Sequence, residues 1–190
     1  MKKPGLTIRP LTPARWKDFE ALFGPRGACA GCWCQWIRRT SAEHRGTTSD
    51  ANRRAMKRLV DAGEVPGLLA YEGDKAVAWA ALGPRSDFKR LETSRVLKPV
   101  DDEPVWSAPC FFVSRDARGK GATTALLLAA AERARKQGAR VLEGYPVDPK
   151  GKRIPPAFVW WGLEPAFRKA GFREAARRSV TRPVMRKRLL

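Results

Sequence analysis

The residues best suited to chemistry lie between Arg118 and Thr124, in the run Arg-Gly-Lys-Gly-Ala-Thr-Thr. Gly119 and Gly121 stand directly before the stretch Ala122 to Gln137. That stretch is rich in alanine and leucine and reads as a helix of about four turns, closed by Gly138 with Arg135 and Lys136 in its last turn. A helix start offers unpaired N–H groups and a partial positive charge. Glycines before it let a ligand come against the backbone, and Arg118 and Lys120 add charge there. With the apolar run Ala108 to Val113 upstream, the arrangement predicts strand, turn and helix forming a cradle for a diphosphate. A P-loop is excluded because Gly119 and Gly121 are too close and no Lys-Ser/Thr follows. The dinucleotide fingerprint fails at Thr124, where its third glycine belongs, and only Glu143 could serve as its acidic residue.

Two further groups could do chemistry. Arg140 to Tyr145 reads as a strand whose alternation sets Glu143 and Tyr145 on one side and Leu142 and Gly144 on the other. Glu143 is well suited to an ion pair with a neighbouring arginine. Cys29, Cys32 and Cys34 fall in Cys-Ala-Gly-Cys-Trp-Cys. Zinc would need His44 or Cys110 as a fourth ligand, and a second Cys-x-x-Cys knuckle is missing. The segment Arg26 to Thr48 is therefore expected to be a structural or acceptor-site loop with no metal, its Trp33 and Trp36 either plugging the core or walling the acceptor. Cys110 reads as inert core, and a single histidine argues against a Ser–His or Cys–His hydrolase.

The elements that must position these residues can be read in order. Leu6 to Leu11 is a strand, and Thr12-Pro13 opens a helix with Trp16, Phe19, Leu22 and Phe23 on one face. Thr48 or Ser49 caps a second helix running to Gly63. Gly67 to Tyr71 and Ala76 to Leu82 form a hairpin about Glu72 to Lys75. Gly83 to Glu103 is a long irregular piece with one short helix near Phe88 to Thr93. The cradle helix, its leucines 126 to 128 facing a sheet, joins two parallel strands. Pro146 to Pro156 is a basic loop, Phe158 to Ala170 a helix, and Phe172 to Ser179 and Thr181 to Leu189 are two final strands.

The 190 residues carry a net charge of +19, unevenly spread. Residues 1–60 hold 13 Lys/Arg against 4 Asp/Glu, residues 61–149 hold 13 of each, and residues 150–190 hold 12 against 2. Basic ends of this kind draw polyanions. No secretory leader and no apolar run of membrane-spanning length is visible, so a cytoplasmic protein without membrane contact is expected.

The run Arg118-Gly119-Lys120-Gly121-Ala122-Thr123, with Val113 five residues earlier, resembles the acyl-CoA-binding motif of the GNAT N-acetyltransferases, Arg/Gln-x-x-Gly-x-Gly/Ala. Thr123 departs at its last place. Lys169-Ala170-Gly171-Phe172 resembles the Lys-x-Gly-Phe before that family's last hairpin, and the element order is similar throughout. The resemblance implies an α/β (α+β) fold with one domain over residues 1–190. Its mixed central sheet would have about six or seven strands flanked by about four helices and splayed at the CoA cleft. It implies acetyl-CoA as donor and a primary amine attacking the thioester directly. The diphosphate would rest on the backbone of Arg118, Gly119, Lys120, Gly121, Ala122, Thr123 and Thr124, and an N–H near Phe112 or Val113 would polarise the thioester carbonyl.

Two family residues are missing. Several GNAT enzymes carry a glutamate where Ser107 stands, and many a tyrosine where Phe167 stands. Glu143 and Tyr145 are the nearest titratable substitutes; water relays would need no side chain. The basic ends fall on segments that flank the acceptor mouth in that fold, which implies an anionic acceptor such as an RNA-linked amine. The alternative is a basic nucleic-acid-binding or regulatory protein that binds CoA without turnover. On either reading a monomer or homodimer is expected.

Overall fold

The structure, a computed structural model, describes residues 5–155 and 158–189. Pro156, the last residue of the expected basic loop, lies outside them. Strand β1 (Thr7–Pro10) leads through a 3-10 turn into α1 (Trp16–Phe23). A short helix α2 (Ser41–His44) and the longer α3 (Ser49–Asp61) precede the hairpin of β2 (Gly67–Glu72) and β3 (Lys75–Ala81). Then come β4 (Gly83–Pro84), α4 (Lys89–Glu92), β5 (Trp106–Ser107) and β6 (Phe111–Val113). The cradle helix α5 (Ala122–Lys136), β7 (Val141–Gly144), α6 (Glu164–Lys169), β8 (Arg173–Arg177) and β9 (Pro183–Arg188) complete the chain.

The strands form two sheets, ordered β1-β2-β3-β6 and β4-β5-β7-β9-β8. Every pairing is antiparallel except β5 with β7. The α/β class, the mixed strand directions and the splay agree with expectation. The splay has a local cause. The predicted strand Ala108 to Val113 is divided, because the chain changes partner within three residues. Ala108 N–H still bonds Glu143 O on β7 at 2.9 Å, Pro109 has no N–H to give, and Cys110 O already accepts from Ala81 N on β3 at 2.9 Å. Beyond Ala108, β6 follows the first sheet and β7 the second, and a cleft opens between them.

Two apolar layers hold this frame. One packs α1 and the 24–40 loop on β2 and β3 through Phe19, Phe23, Trp33 and Trp79. The other packs α5 against both sheets through Leu126, Leu127 and Ala130. Leu128, expected on the buried face with its neighbours, is 48% exposed. A helix turns 100° per residue, so three consecutive leucines cannot all face one sheet. The predicted helix from Phe158 shortens to α6, since Gly162 takes φ +79° and Pro165 sits at the helix start.

Candidate active site

The cradle begins at Gly121, which caps α5 in the left-handed conformation, φ 84° and ψ 10°. A Cβ there would meet nothing within 4 Å, so the backbone angle rather than crowding explains the glycine. The first α5 N–H with a helical acceptor belongs to Ala125, bonded to Gly121 O at 3.0 Å. Among the described residues the amides of residues 119 to 124 have no backbone acceptor, no side chain caps the helix, and no acid stands in its first turn. This is a sheaf of donors at the positive end of a 15-residue helix. Arg118 donates from Nε to Val113 O at 3.2 Å, which ties the turn to the end of β6. Lys120 Nζ lies 3.9 Å from Glu72 and is largely in solvent.

The donors open onto a cleft of about 620 Å³. Phe111 to Val113 form one wall and the 159–166 segment the other, with Ala28 and Cys29 at one end. Phe112, Val113, Arg118, Gly119, Gly121, Ala122, Thr123 and Thr124 all line it, while Lys120 points away toward Glu72. The strand parity decides which β6 amides face the cleft. Ser114 N bonds Val77 O and Ala81 N bonds Cys110 O, so Phe112, opposite Trp79, has its backbone polar groups turned into the sheet. Phe111 and Val113 turn theirs outward. The Phe111 N–H is already taken by Trp160 O at 2.6 Å. Of the two expected amides, the Val113 N–H faces the cleft and the Phe112 N–H does not.

Glu143 and Tyr145 are brought together but neither lines the cleft. Both are fully buried. One Glu143 oxygen accepts from Arg85 at 3.0 Å and from the Tyr145 hydroxyl at 2.7 Å, and the other accepts from Arg186 at 2.7 Å. Arg85 also donates to Tyr145 Oη at 2.7 Å, and Ser107 Oγ lies 2.8 Å from that oxygen. Burial, then the Glu143 charge, pushes the Tyr145 phenol well above its usual range. The carboxylate is held between two guanidinium groups, without solvent access and outside the cleft lining. The expected catalytic pair thus stands outside the cleft lining, where its hydrogen bonds join β5, β7 and β9. Ser107 and Phe167, where the family's acid–base residues would stand, are also fully buried. Phe167 packs so closely on Gly144 that a Cβ there would lie 2.2 Å from its ring.

The cysteine loop is strained and plugged into the core. Ala28, Ala30, Trp33 and Cys34 all have positive φ, costing about 1 kcal/mol or more each. Trp33 pins the loop by stacking on Phe23 and donating to Ser49 Oγ at 2.9 Å, while Asn52 donates to Gly31 O at 3.0 Å. Trp33 is thus core, whereas Trp36 stands edge-on to Trp160 beside the cleft. Cys34 accepts from Trp79 Nε1 at 3.3 Å, and its neighbour Cys110, with Trp79 and Arg38, holds its thiol below the usual range. Burial pushes Cys32 up to about 12. Among the described residues no three of His, Cys, Asp and Glu are grouped to hold a metal ion. Sequence reasoning missed the second wall, Val159 to Ala166; the aromatic pair Trp160-Trp161 was its only visible signal.

Comparisons with known proteins bear on this geometry. The family model described as Acetyltransferase (GNAT) family matches residues 32–149. Among solved structures, yncA from Salmonella typhimurium, assigned as an acetyltransferase and solved with its cofactor acetyl-CoA, superimposes with a TM-score of 0.54 at 16% identity over 98% of this chain and 95% of its own. An N-acetyltransferase from Staphylococcus aureus gives 0.53 at 16% over 98% and 100%. A Corynebacterium glutamicum structure described as histone acetyltransferase HPA2 and related acetyltransferase gives 0.56 at 18% over 97% of both chains. A search of curated proteins finds none that matches. No helix among the described residues is long and apolar enough to cross a membrane.

Proposed function

The chain belongs to the acetyltransferase (GNAT) family, and from that premise we propose that it is an acetyl-CoA-dependent N-acyltransferase acting on a primary amine. The carrying observation is the sheaf of partnerless amides at the start of α5, opening on the cleft where β6 leaves β7. Fixed donors of this kind fit a diphosphate without reorganising. The residues present therefore suit CoA: residues 118 to 124 hold its diphosphate, the outward edge of β6 at Val113 bonds its pantetheine arm, and Trp160 lines the opposite wall. When bound, acetyl-CoA supplies a thioester carbonyl for attack by an amine.

Proton removal is left to solvent. Of the described residues lining the cleft, the titratable ones are Cys29, Arg118 and Lys169, with no carboxylate and no imidazole. The amine then has to reach the cleft already neutral, and the rate is set by its own pKa. The reading includes a cytoplasmic protein, a single acetyltransferase domain over residues 1–190, and an anionic or RNA-linked acceptor drawn by the basic ends. The second reading, a basic nucleic-acid-binding or regulatory protein that binds CoA without turnover, is favoured by the sealed positions of Ser107 and Phe167.

Native mass spectrometry with acetyl-CoA and tRNA, followed by thiol release with primary amines, separates the two. A CoA adduct with turnover that climbs with pH toward each amine's own pKa is expected. A CoA adduct with no thiol release from any amine selects the second reading. A rate plateau at one pH shared by all amines would instead reveal a side-chain base.

A further inference from the structure

We propose that Arg182 is an anion-binding, specificity-determining residue of the acceptor subsite, so that the acceptor is a primary amine carrying a carboxylate or phosphate-type group beside an apolar body. The inference rests on the transferase reading above. Four separate segments converge beside the cleft. Trp160, on the cleft wall, stacks on Trp161 with ring centroids 4.2 Å apart and planes 28° apart. Trp36, from the cysteine loop, stands edge-on to both at 4.8 and 6.1 Å. A guanidinium closes each end of this stack: Arg90 from α4 lies 4.0 Å from the Trp36 ring, and Arg182 from the turn before β9 lies 4.3 Å from the Trp161 ring.

The two ends differ in what satisfies them. Arg90 donates to Trp36 O and Ser41 Oγ, both at 2.8 Å. Arg182 makes no hydrogen bond and no ion pair among the described residues, although it is only partly exposed. Burial alone acts on it and pulls its pKa down to about 10. A desolvated cation without a counter-ion is costly, and the chain's own acids nearby are committed elsewhere. Asp148 is held by Lys150 at 2.9 Å and Arg177 at 3.0 Å, and Glu174 by Arg177 at 2.7 Å. An arginine fork presented this way suits a planar carboxylate or a phosphate group. Half-buried Trp36 and Trp160 supply the apolar surface for the body of the same molecule.

The test uses three benzylamines that differ only at the para position: carboxylate, phosphonate and carboxamide. They are assayed by thiol release from acetyl-CoA with wild type, Arg182→Gln, Arg182→Lys and the charge control Arg173→Gln, whose side chain is exposed on β8. Wild type is expected to favour the anionic amines over the carboxamide by roughly tenfold or more in kcat/KM, the size of a charge-assisted hydrogen bond. Preference for carboxylate or for phosphonate identifies the anion. Arg182→Gln should level the ratio to about one, Arg182→Lys should keep part of it, and Arg173→Gln should leave it unchanged. Each variant's acetyl-CoA affinity and thermal midpoint serve as controls for folding. As a readout independent of turnover, benzoate and not benzamide should change the tryptophan fluorescence of wild type, and neither should change that of Arg182→Gln. Equal turnover of all three amines, or a preference that survives Arg182→Gln, overturns the inference and leaves the transferase reading standing. Acetyl-CoA binding without thiol release from any of them tells against the transferase reading, and this inference falls with it.

Discussion

The start of α5 and the charged cluster around Glu143 are both rich in polar groups close to the cleft, yet they are built on opposite terms. At the start of α5 the amides of residues 119 to 124 have no backbone acceptor among the described residues, and all of those residues but Lys120 line the cleft. Around Glu143 both carboxylate oxygens accept hydrogen bonds, one from Arg85 and Tyr145 and the other from Arg186, in a place that solvent does not reach. One region leaves its donors without internal partners. The other spends its charges internally to fix the strands from which the cleft splays. A titratable group close to a cleft is thus no sign of catalysis until its partners have been counted.

The sharpest way to break this comparison is to remove Glu143. Glu143→Ala takes from Arg85 its fully buried counter-ion, leaving it the half-exposed Glu92, and leaves Tyr145 Oη only Ser107 as an acceptor. Breaking a buried ion pair from one side costs about 3–5 kcal/mol. Urea denaturation should show a loss of that size with an unchanged slope, and thiol release per folded molecule should persist. Stability close to wild type with turnover abolished would move Glu143 into the chemistry and dissolve the distinction.

Gly121→Val probes the other region, and its expected effect on stability is smaller. The φ of 84° disfavours any side chain and a β-branched one most. The strain should cost about 1–2 kcal/mol. Because no Cβ clash exists in the free protein, most of the damage should appear in binding, as a loss of acetyl-CoA affinity of about tenfold or more, read by calorimetry. Unchanged affinity would show that the diphosphate does not rest at this turn.

These two regions also mark what the chain reveals before it is folded. The cradle was legible because all its parts lie within a few residues: two glycines, two cations and a helix start need only local geometry. The role of Glu143 was not, because its partners Arg85 and Arg186 stand 58 and 43 residues away and no period in the sequence reports them. Alternation did place Glu143 and Tyr145 on one side of β7, but could not say that Arg85, Ser107 and Arg186 close in on them there. Likewise the apolar run before the cradle read as one strand. Its division at Pro109 arises from a change of partner, and that change decides that Val113 and not Phe112 turns its amide to the cleft. Trp33 and Trp36, indistinguishable by type, separate only when the strained loop is seen to drive the first under α1 and leave the second against Trp160.

Lys120 gives the mildest test and the one that compares charge in the two regions directly. Its ammonium is exposed and lies 3.9 Å from Glu72, whereas the Arg85 guanidinium is buried against Glu143. A charge in water is screened and loosely held, so its contribution to an anion at the cradle should be a modest and ionic-strength-dependent increment. Lys120→Gln should weaken acetyl-CoA binding by about two- to fivefold at low salt, with the difference fading toward molar salt. The fixed amides of the cradle carry no net charge to be screened in this way, so wild-type binding should retain most of its strength over the same range. If wild type and Lys120→Gln instead lost affinity together and steeply with salt, the basic surface rather than the helix start would be holding the diphosphate.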